Sequence, residues 1–461
     1  MGITAAYMVP HPPLIIPSVG KGEEKQIQKT IDAYEETGQR ISVHRPETIV
    51  LISPHQTMYA DYFHISPGES AQGDFGQFRA GQEKIKVSYD REFVIKLSGL
   101  AGEKGLPAGT FGEKEKKLDH GTMVPLYFVN KYWRDYRLVR IGLSGLSLVS
   151  HYELGQCIKE VAENLGRNVV LVASGDLSHC LKPDGPYGYQ EEGPVYDKNI
   201  MEVMEKGNFL ELFDFSEEFC SRAGECGHRS FVLLSGALDK TAVKPERLSY
   251  EGPFGVGYGI CAYDVSEEDL SRNFKEQYQE RERKKMAAIR EREDDFVRLA
   301  RHTIEEFVCT GRRIDVPEGL SEEMYGQRAG VFVSIKKQGS LRGCIGTIQG
   351  VYGSVAQEII ENAISASSND PRFDPVEPEE LEYLTISVDV LGEIQRIDSP
   401  KELDVKRYGV IVTKGSKRGL LLPNLEGVDT VEEQIAIAKQ KAGIRREEDV
   451  ALERFEVIRH F

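Results

Sequence analysis

Short apolar runs alternate with amphipathic stretches through the first half of the chain. Continuous runs of Val, Ile and Leu predict strands buried on both faces, and apolar residues spaced three and four apart predict helices. The predicted strands are residues 3–8, 48–53, 137–143 and 168–173, and the predicted helices are residues 23–40, 92–100 and 154–165. Because strands and helices alternate, we expect an α/β fold with a mostly parallel sheet flanked by helices.

The second half of the chain orders its elements differently. A hairpin is predicted from residues 330–336 and 341–348, around the turn Gln338-Gly339-Ser340. Further strands are predicted at residues 384–391, 410–412 and 419–422, and helices at residues 296–308, 355–366 and 431–442. This order of elements indicates a compact α+β domain.

A stretch dominated by charge separates the two halves. Between Ser266 and Asp295 no glycine or proline interrupts the chain, and opposite charges lie three and four residues apart. Such spacing supports a solvated helix. The predicted organisation is therefore a domain at residues 1–264, a charged helical connector at residues 265–284, and a second domain at residues 285–461.

Composition narrows the class of protein. A chain of 461 residues is too long for one ordinary hydrophobic core, so two or three domains are expected. The net charge of -16 argues against nucleic-acid binding, which needs a basic surface. No apolar run is long enough to cross a bilayer, and the start lacks the basic region of a secretory signal. Seven cysteines without a Cys-x-x-Cys pair fit reduced thiols. We expect a cytoplasmic protein that binds neither membranes nor nucleic acids.

Three histidines follow predicted strands. His11 and His55 come directly after the first two strands, and His179 follows the fourth strand through the turn at residues 174–178. Because ligands of open α/β sheets bind outside the carboxyl ends of the strands, these imidazoles are expected to converge. His120 precedes an apolar run that predicts a helix. A single histidine at a strand end is more often structural, but four in corresponding places favour a functional site.

The other histidines lack this context. With His228 left open, most of them are predicted to be surface residues: His44, His64, His151, His302 and His460.

Two further ligand types stand side by side at Glu225 and Cys226, between Gly224 and Gly227. Two histidines and a carboxylate leave three positions open on an octahedral ion, which suits Fe(II) and oxygen chemistry. A cysteine in place of the carboxylate favours softer or redox-active binding. The structural alternative is that Glu225 only interacts with the dipole at a helix N-terminus. The sequence leaves the third ligand open between the two residues.

Four short motifs occur in an order and spacing that resemble a known family. They are Val9-Pro10-His11-Pro12-Pro13, Ser53-Pro54-His55, Asp119-His120-Gly121 and Gly175-Asp176-Leu177-Ser178-His179. On these motifs, residues 1–264 resemble the LigB-type class III extradiol dioxygenases and their Memo-like and DOPA-dioxygenase-like branches.

The resemblance implies roles for individual residues. It implies His11 and His55 as ligands of Fe(II), with zinc or copper as alternatives in the isolated protein, and a third ligand in the pair Glu225–Cys226. It implies His179 as an acid/base residue that Asp176 orients. His120 would border the substrate pocket.

The same resemblance implies a function. The expected enzyme cleaves the ring of a small catechol or aminophenol with O2, and His179 removes and returns a proton. One alternative is a Memo-like metal-binding protein in a redox or modification pathway, which works with a radical-SAM partner and cleaves no ring. Another is a zinc hydrolase on the same ligands. A homo-oligomer is expected in each case.

The second half carries its own signature. The run from Ser340 to Thr347, with the segments 369–376 and 418–423, resembles the AMMECR-type domain over residues 285–461. This family resemblance implies a fold more than a biochemical role. Cys344 has no assignable activating residue, so a small buried cysteine is favoured over an exposed nucleophile. Two interpretations are open for the charged residues nearby: they bind a polar ligand, or they tie loops of the domain together by ion pairs and hydrogen bonds. These residues are Arg342, Asp370 and Arg372.

Overall fold

The computed structural model describes residues 2–337, 339–425 and 427–461. The chain divides into two compact units, Met1–Gln279 and Glu280–Phe461, and each unit is described by itself. Within the described residues, no helix is both long enough and apolar enough to cross a lipid bilayer. All seven cysteines are free thiols.

The strands of the first unit are β1 (Ile3–Val9), β2 (Thr48–Ser53), β3 (Phe63–His64), β4 (Ser70–Phe75), β5 (Ala80–Ser88), β6 (Ala108–Gly109), β7 (Arg137–Gly142), β8 (Val169–Ser174), β9 (Thr241–Glu251) and β10 (Tyr258–Glu268). Its helices are α1 (Pro17–Gly20), α2 (Gln28–His44), α3 (Arg91–Glu103), α4 (His120–Tyr132), α5 (Leu148–Asn164), α6 (Glu192–Lys206), α7 (Glu217–Ala223) and α8 (His228–Ala237). The charged helix α9 (Phe274–Arg292) contains the division between the units.

A six-stranded sheet in the order β7-β2-β8-β1-β10-β9 forms the centre of the first unit. The strands β7, β2, β8 and β1 are parallel, and β10 and β9 add an antiparallel edge. Every residue of β2 and β8 is buried because apolar clusters cover both faces of the sheet. The predicted α/β fold with a mostly parallel sheet is confirmed.

The first unit continues beyond residue 264, where the sequence placed its end. Strand β10 runs to Glu268. Phe274, at the start of α9, is buried in the core of the first unit, and Tyr278 stacks on Phe213 with ring centroids 4.5 Å apart. The connector is helical, but its first turns carry apolar residues that belong to this core.

In the second unit, the strands are β11 (Val331–Lys337), β12 (Ser340–Gly346), β13 (Leu384–Leu391), β14 (Gln395–Ile397), β15 (Gly409–Lys414), β16 (Lys417–Leu421), β17 (Ala451–Phe455) and β18 (Val457–His460). The helices are α10 (Asp295–Thr310), α11 (Glu322–Gly326), α12 (Val355–Ser368) and α13 (Val431–Lys441).

Two four-stranded antiparallel sheets, β12-β11-β13-β18 and β14-β17-β15-β16, organise the second unit. Helices α10 and α12 share an apolar core with the first of these sheets. The α+β prediction is confirmed, and the predicted hairpin is formed by β11 and β12. Gln338, in its predicted turn, lies outside the described residues.

Candidate metal centre

His11 follows β1 and is almost completely buried. Its Nδ1 lies 2.9 Å from Ser174 Oγ, and the Ser174 hydroxyl donates to the carbonyl of Gly121 at 2.7 Å. Because the serine proton is used there, Ser174 Oγ accepts the Nδ1–H of His11, and the Nε2 atom carries the lone pair. Burial and the neighbouring His55 hold the pKa of His11 well below its usual value, so the ring is neutral.

His55 follows β2 and is more exposed than His11. The two Nε2 atoms lie 3.0 Å apart. The backbone N–H of His55 donates to Ser53 Oγ at 3.2 Å, and this hydroxyl donates to Asp119 Oδ1 at 2.5 Å. The end of β2 and this chain of hydrogen bonds place His55 Nε2 beside His11 Nε2 at the rim of the sheet.

Cys226, and not Glu225, stands beside these histidines. Its Sγ lies 3.7 Å from His11 Nε2, and ligand atoms of His11, His55 and Cys226 all lie within 4.8 Å of one another. The Glu225 carboxylate instead accepts the backbone N–H of His228 at 2.6 Å, at the start of α8. Burial raises the pKa of Glu225 to about 7. Glu225 therefore has the contact expected of a residue at a helix N-terminus, which was the structural alternative.

The three donors fit a divalent transition metal. Metal bonds to imidazole nitrogen and thiolate sulfur are about 2.0–2.3 Å long, so ligands of one ion lie roughly 3–4 Å apart. The 3.0 Å and 3.7 Å separations agree with that spacing. Burial, with Asp176 and Glu225, raises the pKa of the Cys226 thiol well above its usual value. A bound cation would reverse this effect by stabilising the thiolate.

His120 and Asp176 complete the surroundings of the centre. The His120 ring lies 4.0 Å from that of His55, measured between centroids, and burial with the two neighbouring histidines lowers its pKa to about 3. Asp176 Oδ1 accepts the backbone N–H of His11 at 2.7 Å, and burial raises its pKa to about 6. Asp176 was expected to orient His179, but its side chain holds His11.

His179 lies near the centre on the loop that follows β8. Its backbone N–H donates to the carbonyl of Gly224 at 3.3 Å, and its ring stacks on Tyr187 at 5.0 Å between centroids. Burial lowers the pKa of His179, and Asp176 partly opposes this shift. No hydrogen bond joins the Asp176 and His179 side chains in the part of the chain that the structure describes.

Several residues around the centre were missed at the level of sequence. Ser174 directly follows the strand predicted at residues 168–173 and could have been found as a neighbour of His11 across the rim. Tyr187 and Phe78 touch His179 and His120, but loop positions gave no sequence signal for these ring contacts.

Three of the remaining histidines, His64, His151 and His228, are buried. The prediction of a surface position is therefore wrong for His64 and His151. For His228, which the sequence left open, the structure shows a buried position. A ring nitrogen of each lies within hydrogen-bond distance of a backbone carbonyl: Phe111 for His64, Ser147 for His151 and Leu212 for His228. Each contact satisfies one ring nitrogen, while Nε2 of His64 is buried without a hydrogen-bond partner among the residues described.

The charged residues of the second unit tie its loops together. Cys344 on β12 is half-buried, its N–H donates to Asp370 Oδ2 at 2.9 Å, and Arg372 donates to its carbonyl at 3.0 Å. Arg372 also pairs with Asp370 at 2.6 Å. Arg342 donates to the carbonyls and the carboxylate of the segment 374–380. Of the two interpretations for these residues, the contacts fit the tie between loops.

Comparisons with known proteins agree with both halves of the architecture. The family model "Catalytic LigB subunit of aromatic ring-opening dioxygenase" matches residues 5–261, and the AMMECR1 model matches residues 297–460. A protein of Clostridium acetobutylicum is 43% identical over 474 residues, which cover 100% of this chain and 99% of that protein. A protein of Thermotoga maritima is 49% identical over 170 residues, which cover 36% of this chain and 98% of its own length.

Among solved structures, an uncharacterized protein of Pyrococcus horikoshii has 35% identity and a TM-score of 0.34, and the match covers 37% of this chain and 90% of that one. With its strand-end histidines and a family match over more than half its length, the chain belongs to the family of the catalytic LigB subunit of aromatic ring-opening dioxygenases, and it carries an AMMECR1 domain after it.

Proposed function

We propose that the first unit is a metal-dependent redox protein in which His11, His55 and Cys226 hold one divalent transition metal. The supporting observation is the convergence of these three donors within 4.8 Å at the sheet rim. Two imidazoles and a thiolate suit iron, copper or zinc better than Mg²⁺ or Ca²⁺, which prefer oxygen ligands. Iron and copper are favoured because thiolate ligation suits redox-active ions.

The surrounding residues would serve this function in distinct ways. Ser174 holds the His11 ring so that the Nε2 lone pair faces His55 and Cys226. A bound iron or copper ion would supply electron transfer between a small organic substrate and O2. Because burial keeps the pKa of His179 below its usual value, this imidazole is neutral at pH 7 and can accept a proton from a substrate hydroxyl.

Ring cleavage of a catechol or aminophenol is the second candidate function. Family membership and the neighbouring His120 and His179 support it, because histidines that move protons are needed beside the diol. The cysteine weighs against it, since the arrangement best suited to Fe(II) oxygenases has a carboxylate as third ligand. Without ring cleavage, the protein would act in a redox or modification pathway with a radical-SAM partner, as the Memo-like resemblance implies.

Metal analysis and oxygen uptake distinguish these functions. The full chain is purified without oxygen, its metal is measured by mass spectrometry, and O2 consumption is followed with a panel of catechols and aminophenols. One bound iron or copper without a ring-opened product supports the redox proposal. Stoichiometric O2 uptake with a ring-opened product supports cleavage. Zinc alone with ester or amide hydrolysis would indicate a hydrolase, and absence of any bound metal would contradict the metal site.

A further inference from the structure

Arg140 lies on β7 without any exposed surface. Its Nε donates to Ser66 Oγ at 2.8 Å, and Nη2 donates to Gln56 Oε1 at 2.8 Å. Nη1 and Nη2 also donate to the carbonyls of Lys117 and Glu115, at 2.8 Å and 3.1 Å. A buried guanidinium is tolerated only when its donors are satisfied, so this side chain joins β7 to two separate loops.

The carboxylate of Asp119, with a side chain 10% exposed, lies beside Arg140. Asp119 Oδ2 lies 3.9 Å from Arg140 Nη1. Asp119 also accepts hydrogen bonds from Ser53 Oγ at 2.5 Å and from the backbone N–H of Thr122 at 2.9 Å. Burial alone would raise its pKa, but Arg140 and these hydrogen bonds outweigh burial, and the net shift is downward. Asp119 therefore stays ionised opposite Arg140.

The contacts of this pair lie next to two histidines of the centre. Gln56 directly follows His55, and the Ser53 hydroxyl that Asp119 holds accepts the His55 backbone N–H. Asp119 directly precedes His120 and caps helix α4. The His55 and His120 rings lie 4.0 Å apart at an interplanar angle of 34°. One ion pair thus connects the segments that carry both rings.

We infer that Arg140 is a positioning residue of the metal centre, which acts through Asp119 and Gln56 to fix His55 against His120. This inference rests on the proposed metal site. The planar guanidinium reaches four acceptors at once, and a lysine ammonium cannot reproduce that geometry. Loss of Arg140 would leave Asp119 without its cation and release the carbonyls of residues 115 and 117.

Cobalt spectroscopy on the full chain tests this role. Wild type, Arg140→Lys, Arg140→Gln and Gln56→Ala are titrated with Co(II), whose visible absorption reports ligand geometry. We expect a roughly 10–100-fold loss of Co(II) affinity and an altered spectrum for Arg140→Gln, because groups that orient metal ligands contribute effects of that size. Arg140→Lys should recover affinity only in part. Gln56→Ala, which removes one of the four acceptors of Arg140, should show a smaller change in the same direction.

Arg167→Gln is the matched control. Arg167 pairs with Glu92 at 2.5 Å and lies 3.9 Å from the buried Asp90. It precedes β8, at the rim of the sheet opposite His11. This variant loses a similar ion pair in the same unit, and we expect it to lower the melting temperature while the Co(II) spectrum and affinity stay those of wild type.

The outcomes separate the two ideas. If wild type binds Co(II) and neither the Arg140 variants nor Gln56→Ala change the spectrum or the affinity, the positioning role is overturned and the metal site stands. Should Arg140→Gln fail to fold, Gln56→Ala still decides the question. If wild type binds no Co(II), the proposed metal site fails and the positioning role fails with it. Equal spectral changes in Arg167→Gln would show a general loss of stability instead.

Discussion

The Nε2 atoms of His11 and His55 lie 3.0 Å apart although the strands that carry them, β1 and β2, are not neighbours. Strand β8 lies between them, and its last residue, Ser174, holds the other nitrogen of the His11 ring. Three parallel strands therefore contribute to the centre at a single rim. The arrangement depends on the order of strands in the sheet, and the following predictions test its separate parts.

The ligand set can be tested residue by residue. His11→Ala, His55→Ala and Cys226→Ala should each lower metal occupancy without unfolding the first unit, because all three residues lie at the rim of the sheet. Glu225→Gln should keep the metal, since a glutamine oxygen can still accept the His228 N–H. Metal analysis after anaerobic purification measures both effects. Full occupancy in the histidine variants, or loss only in Glu225→Gln, would contradict this ligand set.

The proton-transfer role of His179 predicts a separation of binding from turnover. His179→Ala and His179→Phe should retain the metal but lose about two to four orders of magnitude in rate, the range typical of general acid/base catalysis. The measurement is kcat with a substrate found in the oxygen-uptake panel. Loss of metal in either variant would make His179 a ligand instead.

The hydrogen bond from His11 to Ser174 should raise metal affinity. Ser174→Ala removes the acceptor for Nδ1–H, so we expect roughly 10–100-fold weaker metal binding with the fold preserved. Ser235→Ala is the matched control, because its buried hydroxyl donates to the Val232 carbonyl within its own helix, α8. Equal affinities in the two variants would rule out a role for Ser174 in holding the ring.

Asp197 predicts a particular dependence of stability on pH. Burial raises its pKa to about 7, while hydrogen bonds from the Ser178 N–H and the Tyr250 hydroxyl oppose this shift. The folded state then binds a proton more readily than the unfolded state, whose aspartate has a pKa of about 3.9. The contribution of Asp197 to the free energy of unfolding therefore falls as pH rises from ~4 to ~7, by up to about 1.4 kcal/mol per pH unit.

Asp197→Asn should remove this part of the pH dependence. The only tryptophan, Trp133, lies in the first unit, so its fluorescence during urea unfolding reports on that unit alone. The difference in unfolding free energy between variant and wild type is measured from pH 4.5 to pH 7.5. A difference that does not change with pH would mean that the aspartate titrates at its ordinary value.

The end of the first unit can be located by truncation. A fragment of residues 1–279 should melt at a higher temperature than a fragment of residues 1–264. The shorter fragment cuts β10 and removes Phe274, whose burial contributes about 1.5–3 kcal/mol, and it also loses the stack of Tyr278 on Phe213. Trp133 fluorescence again measures the transition. Equal melting temperatures would show that the first turns of α9 add nothing to this core.

Each unit should also fold when expressed separately. Residues 280–461 have an apolar core of their own, and both fragments exceed the size at which a single core becomes marginal. Cooperative unfolding of both fragments, with metal bound to residues 1–279, is the expected result. An insoluble second fragment, or a first fragment that loses its metal, would show that the units depend on each other.

The ends of the strands could be predicted from the sequence because they depend on residues that are neighbours in the chain. Six buried residues in a row define β2, and the residue pair after it carries His55. The rule that parallel strands present their carboxyl ends to one rim then predicted which histidines would meet. His11, His55 and His179 could be grouped in this way before any contact was known.

The choice between Glu225 and Cys226 could not be made from the sequence, because the contacts that place Cys226 beside His11 join residues far apart along the chain. Both residues lie on a short turn between α7 and α8, and neighbouring side chains on a turn point in different directions. The backbone N–H of His228 donates to the Glu225 carboxylate, whereas the backbone N–H of Asp176 lies 3.3 Å from Cys226 Sγ. The burial of His64 was missed for the same reason, since its carbonyl partner, Phe111, is distant in sequence. His151 contacts the nearby Ser147 carbonyl, and the packing of α5 buries it.

The position of β8 between β1 and β2 has a consequence for biosynthesis. His11 and His55 leave the ribosome early, but the thiol that meets His11 follows 215 positions later. At roughly 5–20 residues per second, synthesis of that interval takes ~10–40 s. Until residue 174 has been made, the two histidines cannot be held together, because the strand that lies between β1 and β2 is not yet complete. Metal can therefore be captured by the full ligand set only after almost the whole first unit has been translated.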